Sequence, residues 1–296
     1  LKLYMTNKTR LNNHLKRMEI KAKTEVVQAE LVELQTLTGN DLESYYMRTK
    51  NLDEDALTMF WKPKQAASNA QDGHDMIDAA VQGYKDVLES LTKGYNYVQS
   101  ANDTFKDSDW SDLQDKLNGI VAGIATIARF TEYNGQVLIN GEYASSTKQE
   151  SATFLVGVNP KDTVSYTPKN MIPKILGKIS LDEDIIASDG VTTVSELFID
   201  HFSKNGHDGI KLTVNSTGIA QLVLESITTA IEYVKNTLSD ANLIQDDLQL
   251  IKSFMESKAE KGSKFLLQFK SDRSSELAQE MEDLESQLEL LSKMES

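Results

Sequence analysis

From Ile219 to Lys261 the chain runs without a Pro or a Gly. Along that stretch Leu224, Ile227, Ile231, Val234 and Leu238 recur at alternating spacings of three and four, which puts them on one face of a helix. At about 1.5 Å of rise per residue the stretch predicts a helix on the order of 65 Å long. A helix of that length, apolar along one stripe, cannot be buried by a compact domain. It needs other helices alongside, as in a coiled coil or bundle. Ala241, Leu248, Ile251 and Met255 continue the stripe loosely. Further on, Met281, Leu284, Leu288 and Leu291 form another, beside the solvated carboxylates Glu280, Glu282, Asp283, Glu285 and Glu289.

The other end of the chain is helical too. Leu11, Leu15, Met18, Ala22, Val26 and Ala29 keep the same threes and fours and predict a packing stripe. Thr38-Gly39-Asn40-Asp41 interrupts it, with Gly39 suited to a C-cap and Asn40 or Asp41 to the next N-cap. A second helix is predicted from Leu42 to Phe60, ending before Pro63 because the residue preceding a proline is pushed out of the helical region. A third is predicted from Lys64 to Ala101. A fourth starts near Ser108 and carries Leu113, Leu117, Ile120, Ile124 and Ile127, with Gly119 and Gly123 read as points of close helix packing.

Between Asn134 and Asn215 the period changes. Val137 and Ile139 lead into Asn140-Gly141, a dipeptide that favours the type I′ hairpin turn. Phe154, Val156 and Val158 alternate, and Pro160-Lys161-Asp162 turns the chain toward Val164 and Tyr166. Thr193 and Glu196 have capping-box spacing and open a short helix with Val194, Leu197, Phe198, His201 and Phe202 on its apolar face. Asp208-Gly209 then precedes an Ile210, Leu212, Val214 strand. The expected fold is mainly α with a small α+β insertion. It is an elongated rod of long antiparallel helices, a coiled-coil-like bundle of N- and C-terminal arms, with a β-hairpin module in the middle. The expected boundaries are 1–134 for the N-terminal arm, 135–215 for the inserted module and 216–296 for the C-terminal arm packed on the first.

Side chains that usually make an enzyme are missing from the pattern. With no Cys there is no thiolate ligand or nucleophile, and His14, His74, His201 and His207 lack metal-ligand helical spacing. Asp107, Asp109 and Asp112 resemble half of a calcium loop, but the positions that want Gly and Glu hold Asp112 and Asn118. Helix N-terminal charge is the better reading there. Asp182, Glu183 and Asp184 read as a solvated loop, and no phosphate loop or nucleophile elbow occurs. No catalytic, cofactor or metal site is expected.

Charge and hydropathy narrow the partners. Lys and Arg number 31 against 45 Asp and Glu, a net charge of −14. That excludes the positive footprint of a nucleic-acid or anionic-membrane binder. The longest apolar runs, such as Gly119 to Ala128, are about half of the roughly 20 residues that span a bilayer. No charged-then-apolar leader opens the sequence, and its first residue, Leu1, suggests a processed or truncated start.

Several short stretches, in order, resemble the bacterial flagellin family. Asn69-Ala70-Gln71-Asp72-Gly73 looks like the Asn-Ala-Asn-Asp-Gly that opens a long flagellin helix. Glu132-Tyr133-Asn134-Gly135 with Val137 and Leu138 is similar to the family's Gln-Phe-Asn-Gly and its apolar continuation. The run from Phe154 through Val156, Gly157 and Asn159 to Val164 resembles its Gln-Val-Gly-Ala-Asn strand and turn. Leu243-Ile244-Gln245 and Leu248 fall where the family has Gly-Ala-Ile-Gln-Asn-Arg-Leu, and Glu276, Ala278, Glu280 and Met281 resemble its Asp-x-Ala-x-Glu-Val. In physical terms Gly73 suits a tight helix entry, Asn134-Gly135 a turn with positive φ, and Gly157 a strand that another backbone approaches.

Departures are equally specific. After Gly39 the family's Leu-Arg-Ile-Asn is replaced by Asn40-Asp41-Leu42-Glu43-Ser44-Tyr45-Tyr46. The Leu-Gln-Arg-Val-Arg-Glu-Leu stripe of flagellins seen by the vertebrate innate receptor becomes Leu91-Thr92-Lys93-Gly94-Tyr95-Asn96-Tyr97. The resemblance implies a secreted structural subunit of the extracellular filament, serving motility and packed against copies of itself. It also implies passage through the flagellar export machinery with a chaperone, and weak or no receptor recognition. Two alternatives stay open: the related hook–filament junction protein, and a surface adhesin gripping its ligand through Tyr143 to Asn215.

Overall fold

The computed structural model describes residues 2–49, 54–104, 110–143, 151–173, 176 and 217–295. Its helices are α1 (Lys2–Thr36), α2 (Gly39–Thr49), α3 (Glu54–Thr104), α4 (Trp110–Phe130) and α5 (Thr217–Glu295). Among the described residues, four short strands lie between the last two: β1 (Glu132–Tyr133), β2 (Gln136–Val137), β3 (Ala152–Leu155) and β4 (Thr163–Tyr166). The described fold is mainly α with a small hairpin insertion. It divides into two compact units, Leu1–Gln65 with Phe254–Ser296, and Ala66–Ser253.

In the larger unit the α5 stripe does what its period asks. Val223, Leu224, Ile227, Ala230, Val234, Leu238, Ala241 and Leu248 are buried, with Ile231 packed partly against them. They share a core with Ile77, Ala80, Val81, Tyr84, Val87 and Leu91 of α3 and Leu117, Ile124 and Ala128 of α4. Each large apolar side chain so buried contributes about 1.5–3 kcal/mol. Register follows from contacts at the glycines. Gly73 of α3 lies against Leu248 of α5, and Gly94 faces Ile227 of α5 and Leu117 and Ile120 of α4. Gly83 lies against Thr131, just past the end of α4. As α3 advances, the partner residues on α4 and α5 run backwards, so both helices are antiparallel to it.

The hairpins follow local chemistry closely. Glu132 pairs with Val137 and Tyr133 with Gln136, and the two residues between, Asn134 and Gly135, have φ of 50° and 78°. That is a two-residue turn with both central residues left-handed, the type I′ arrangement. β3 and β4 are antiparallel, with Ala152 opposite Tyr166 and Leu155 opposite Thr163. Asn140-Gly141 is not the hairpin turn its sequence suggests. Asn140 Oδ1 accepts the Glu142 N–H at 2.9 Å, only Gly141 of the pair has positive φ, and the Asn170 amide lies where a Gly141 side chain would be. The side-chain turn takes the place of the backbone one.

Helix boundaries differ from the sequence reading in two places, while the predicted Leu42–Phe60 helix crosses residues 50–53, which lie outside the described residues between α2 and α3. α3 then runs straight through Pro63. Proline there removes one N–H···O bond at a cost of about 3 kcal/mol. Pro63 is buried, and Lys64 beside it pairs with the buried Glu43 of α2, so packing within the unit offsets the loss. Gly39 does take a left-handed φ of 52°, but Asn40 and Asp41 sit inside the first turn of α2 rather than capping it. The Thr38 carbonyl accepts the Asp41 and Leu42 N–H groups there.

Gly119 and Gly123 are not packing points either. A Cβ at either would meet nothing within 4 Å among the described residues. Gly73 is the close approach instead. It lies within α3 rather than at a helix entry, and a Cβ there would stand 3.0 Å from Phe154 and 3.1 Å from Leu248. Two substitutions should therefore move stability in opposite directions. Gly119→Ala is expected to raise it by about 0.5–1 kcal/mol, because Ala lowers the entropy cost of the helix and meets no obstacle. Gly73→Val is expected to lower it by about 1–3 kcal/mol through overpacking. Urea unfolding followed by circular dichroism measures both; equal signs would contradict the packing described. The capping box at Thr193 and Glu196, the Val194–Phe202 helix with His201, His207, the Ile210–Val214 strand, Asp107, Asp109 and Asp182–Asp184 lie outside the described residues.

Candidate assembly surface

In the smaller unit α1 buries Val27 and Leu34 and partly buries Ile20 and Leu31, at spacings of seven, four and three. They pack with Leu42 and Tyr45 of α2 and with Leu266, Leu277 and Leu284 of α5. Polar contacts set the register. Lys270 of α5 donates to the carbonyls of Gln35 at 2.9 Å and Leu37 at 2.8 Å, covering the C-terminal carbonyls of α1 with a cation. One turn away, Arg273 reaches Glu30 Oε1 at 2.9 Å through Nη2 and at 3.2 Å through Nε. The Tyr45 hydroxyl donates to the same oxygen at 2.7 Å. That hydroxyl, with the guanidinium, holds the Glu30 carboxyl below the ordinary carboxylate range, against a smaller opposing effect of burial. Gln35 and Leu37 meeting Lys270 while Glu30 meets Arg273 makes α1 and α5 antiparallel in this unit.

The stripe that periodicity assigns to packing on α1 is on the other side. Leu15 is 55%, Met18 57% and Val26 66% exposed, and Ala22 and Ala29 are exposed as well. At about 100° per residue, the Leu15–Ala29 stripe centres roughly 200° from the Ile20–Leu34 face. α1 is thus apolar on two opposite faces, and the unit covers one. α5 also carries two apolar faces here, burying Leu266, Leu277 and Leu284 while Phe254, Leu290 and Met294, about 100° round the helix, are exposed. A helix apolar on two sides is suited to two partners.

The residues singled out by resemblance divide into one cluster and several outliers. In the larger unit the Asn69 amide donates to the Leu155 carbonyl at 2.7 Å, tying α3 to β3. Gln245 of α5 donates to Asp78 of α3 at 3.1 Å, and Leu248 packs beside Gly73. Asn69, Gly73, Gln245 and Leu248 therefore make one joint where α3, α5 and β3 meet. Val156 is buried and its N–H donates to the Asp162 carbonyl at 2.8 Å. The neighbour crowding Gly157 is the Asp162 side chain, not a second backbone; a Cβ there would stand 2.2 Å from Asp162 Cβ. Asp162 Oδ2 in turn accepts the Asn159 N–H at 2.9 Å and its side-chain amide at 3.0 Å. Tyr133 is half-buried near Asp72 and Asp75; burial first, then those carboxylates, raises its hydroxyl pKa. Ala278 and Glu280 are simply exposed on α5.

Two polar clusters have no signal in sequence, since each joins residues from distant segments. One is Glu30, Tyr45 and Arg273. The other is Tyr84 and Tyr166, whose hydroxyls lie 3.1 Å apart while Tyr84 also accepts the Lys169 N–H at 2.7 Å. Among the described residues no group of three or more His, Asp and Glu side chains could hold a metal ion, and no helix is long and apolar enough to cross a membrane.

These features define a helical scaffold that joins distant parts of its sequence and leaves apolar helix faces uncovered. Residues 34–144 match the family model of the bacterial flagellin N-terminal helical region. The flagellin of Bacillus subtilis (strain 168) is 24% identical over 194 residues, covering 60% of this chain and 63% of that protein. The flagellin of Clostridium tyrobutyricum is 33% identical over 102 residues, 34% of this chain and 27% of that protein. A solved structure of FliC from Burkholderia pseudomallei aligns with 61% of this chain and 99% of its own at 18% identity, with a TM-score of 0.36. The chain is similar to the flagellin family over these stretches, and it spans less than two thirds of the length of either flagellin it matches.

Proposed function

We propose that the chain is a structural subunit of an extracellular bacterial flagellar filament, assembling with copies of itself by helix packing and serving motility. The observation that carries this reading is the match of residues 34–144 to the flagellin N-terminal helical region. Uncovered apolar faces on α1 and α5 support it, because association of unlike faces without closing symmetry generates fibres. In this reading the arms 1–134 and 216–296 pack along the filament and the module 135–215 faces outward. Export proceeds through the flagellar secretion channel with a chaperone. Electron microscopy of the purified chain under assembly conditions tests the proposal: filaments support it, and persistent monomers overturn it.

Net charge adds a condition. Subunits each carrying −14 repel one another on approach, and added salt shortens the range of that repulsion to about 8 Å at 0.15 M. Light scattering should record faster growth at 0.15 M salt than at 0.01 M. Rates indifferent to ionic strength would contradict an electrostatic barrier.

Recognition by the vertebrate innate receptor is expected to be weak or absent. Leu91 to Tyr97 lacks both arginines of the recognised stripe. Lys93 is engaged with Glu89 at 2.6 Å, Gly94 faces α4 and α5, and Tyr95 packs partly against the core. A cell reporter assay should show a response far below that of a flagellin bearing both arginines; comparable potency would refute this.

A further inference from the structure

The smaller unit holds a groove between α2 and α5 that the assembly reading does not use. It encloses about 670 Å³, within the range of about 300–1,000 Å³ typical of small-molecule sites. Three aromatic rings line it. Tyr46 stands perpendicular to both Phe265 and Phe269, with ring centroids 5.7 Å and 4.8 Å away and interplanar angles of 87° in each case. Perpendicular rings offer a small guest both edges and faces, and ring faces carry the negative side of the aromatic quadrupole.

The rim sets the sign of the guest. Asp272, Arg273 and Glu276 line the same groove. Arg273 is engaged by Glu30 at 2.9 Å and Glu276 at 3.2 Å, so its charge is already matched. Asp272 is bonded to the neutral Gln268 amide at 2.8 Å, which leaves its charge uncancelled by that contact. The lining itself carries two carboxylates, Asp272 and Glu276, against the Arg273 guanidinium, a net charge of −1, and Glu30 behind Arg273 adds a further negative charge, so an anion is repelled. A strongly hydrated inorganic cation gains nothing from the rings. A cation that carries apolar bulk satisfies rings and rim together.

We infer that this groove binds a small organic cation of the quaternary ammonium class. Rings supply cation–π contact and Asp272 supplies the charge, while Phe265, 42% exposed, leaves the entrance accessible from solvent. The proposal does not depend on filament formation.

Choline is the probe, titrated into the full chain at low salt and followed by NMR of the phenylalanine ring signals. Saturable shifts of Phe265 and Phe269 are expected, with affinity at least roughly tenfold above that for 3,3-dimethylbutanol, the neutral isostere. Phe265→Leu and Asp272→Asn should each weaken choline binding by roughly three- to tenfold with the circular dichroism spectrum unchanged. Both sites are exposed, so neither change threatens the fold. Absence of saturable shifts overturns the inference. Equal binding of the neutral isostere, or full choline affinity in Asp272→Asn, overturns it as well, since then charge plays no part.

Discussion

Replacing Leu15 and Met18 together by Asp should abolish filament growth while leaving the folded monomer as stable as before. Both side chains are more than half exposed and lie on the face of α1 opposite the one that Val27 and Leu34 bury. Inside the monomer they contribute little, and exposed substitutions of this kind change stability by about 0.5 kcal/mol or less. In an assembled filament each would forfeit about 1.5–3 kcal/mol of apolar burial. Each would also place a carboxylate in an interface between chains that already carry −14. Burial of two such charges is the larger penalty, because the described residues of that stripe beside them, Ala22, Val26 and Ala29, carry no charge to match them. Sedimentation and electron microscopy report assembly, and urea unfolding reports the monomer. Leu34→Asp is the contrasting variant, since Leu34 is fully buried and its replacement should unfold the smaller unit. Filaments from the Leu15/Met18 double variant would remove this face from the assembly surface.

That contrast also shows how far periodicity reads a helix. Leu11 to Ala29 is a dense run at threes and fours, so it stands out, whereas Ile20, Val27, Leu31 and Leu34 are spaced more widely. Both are apolar faces of α1, and spacing alone does not say which one the rest of the chain covers. On α5 the Leu224–Leu238 stripe has no competing face of equal density, and it is buried. Turn chemistry is equally local, which is why Asn134-Gly135 behaves as its dipeptide dictates. Pro63 misleads for the opposite reason. Its local rule holds, but packing in the same unit outweighs it. The short stretches that resemble flagellin give no hint of their contacts. Only in the fold do Asn69 and Gly73 meet Gln245, Leu248 and the β3 carbonyl of Leu155 at one joint.

Alkaline pH should unfold the larger unit steeply, beginning near pH 10, and the tyrosine pair in its core, the two hydroxyls raised most, adds to the slope. Tyr84 is fully buried and Tyr166 nearly so, with hydroxyls 3.1 Å apart. Burial pushes the Tyr84 hydroxyl up to about 12 from its ordinary 10. Tyr166 is raised as well, by burial first and then by the neighbouring Tyr84. A folded pKa above the unfolded one means that stability is fully present below pH 10. It is lost as pH rises from there toward the folded value, because the unfolded chain releases protons that the native state retains. Each such tyrosine removes about 1.4 kcal/mol per pH unit in that window. Tyr84 alone therefore accounts for roughly 2–3 kcal/mol in total, lost progressively from just below pH 10 to just above pH 12, and Tyr166 adds in the same direction. Against a total stability of about 5–15 kcal/mol for an ordinary domain, that is enough to bring the transition into the measurable range. Tyr84→Phe separates the two sources of stability. It leaves the Lys169 N–H without the acceptor it has at 2.7 Å, lowering stability at pH 7 by about 1–3 kcal/mol. It also removes one titrating group, so the fall above pH 10 should become shallower by about 1.4 kcal/mol per pH unit. Urea midpoints taken from pH 8 to 12 measure both effects. A variant as steep as the parent would mean that Tyr84 ionises as readily in the folded chain as in the unfolded one, contrary to its burial.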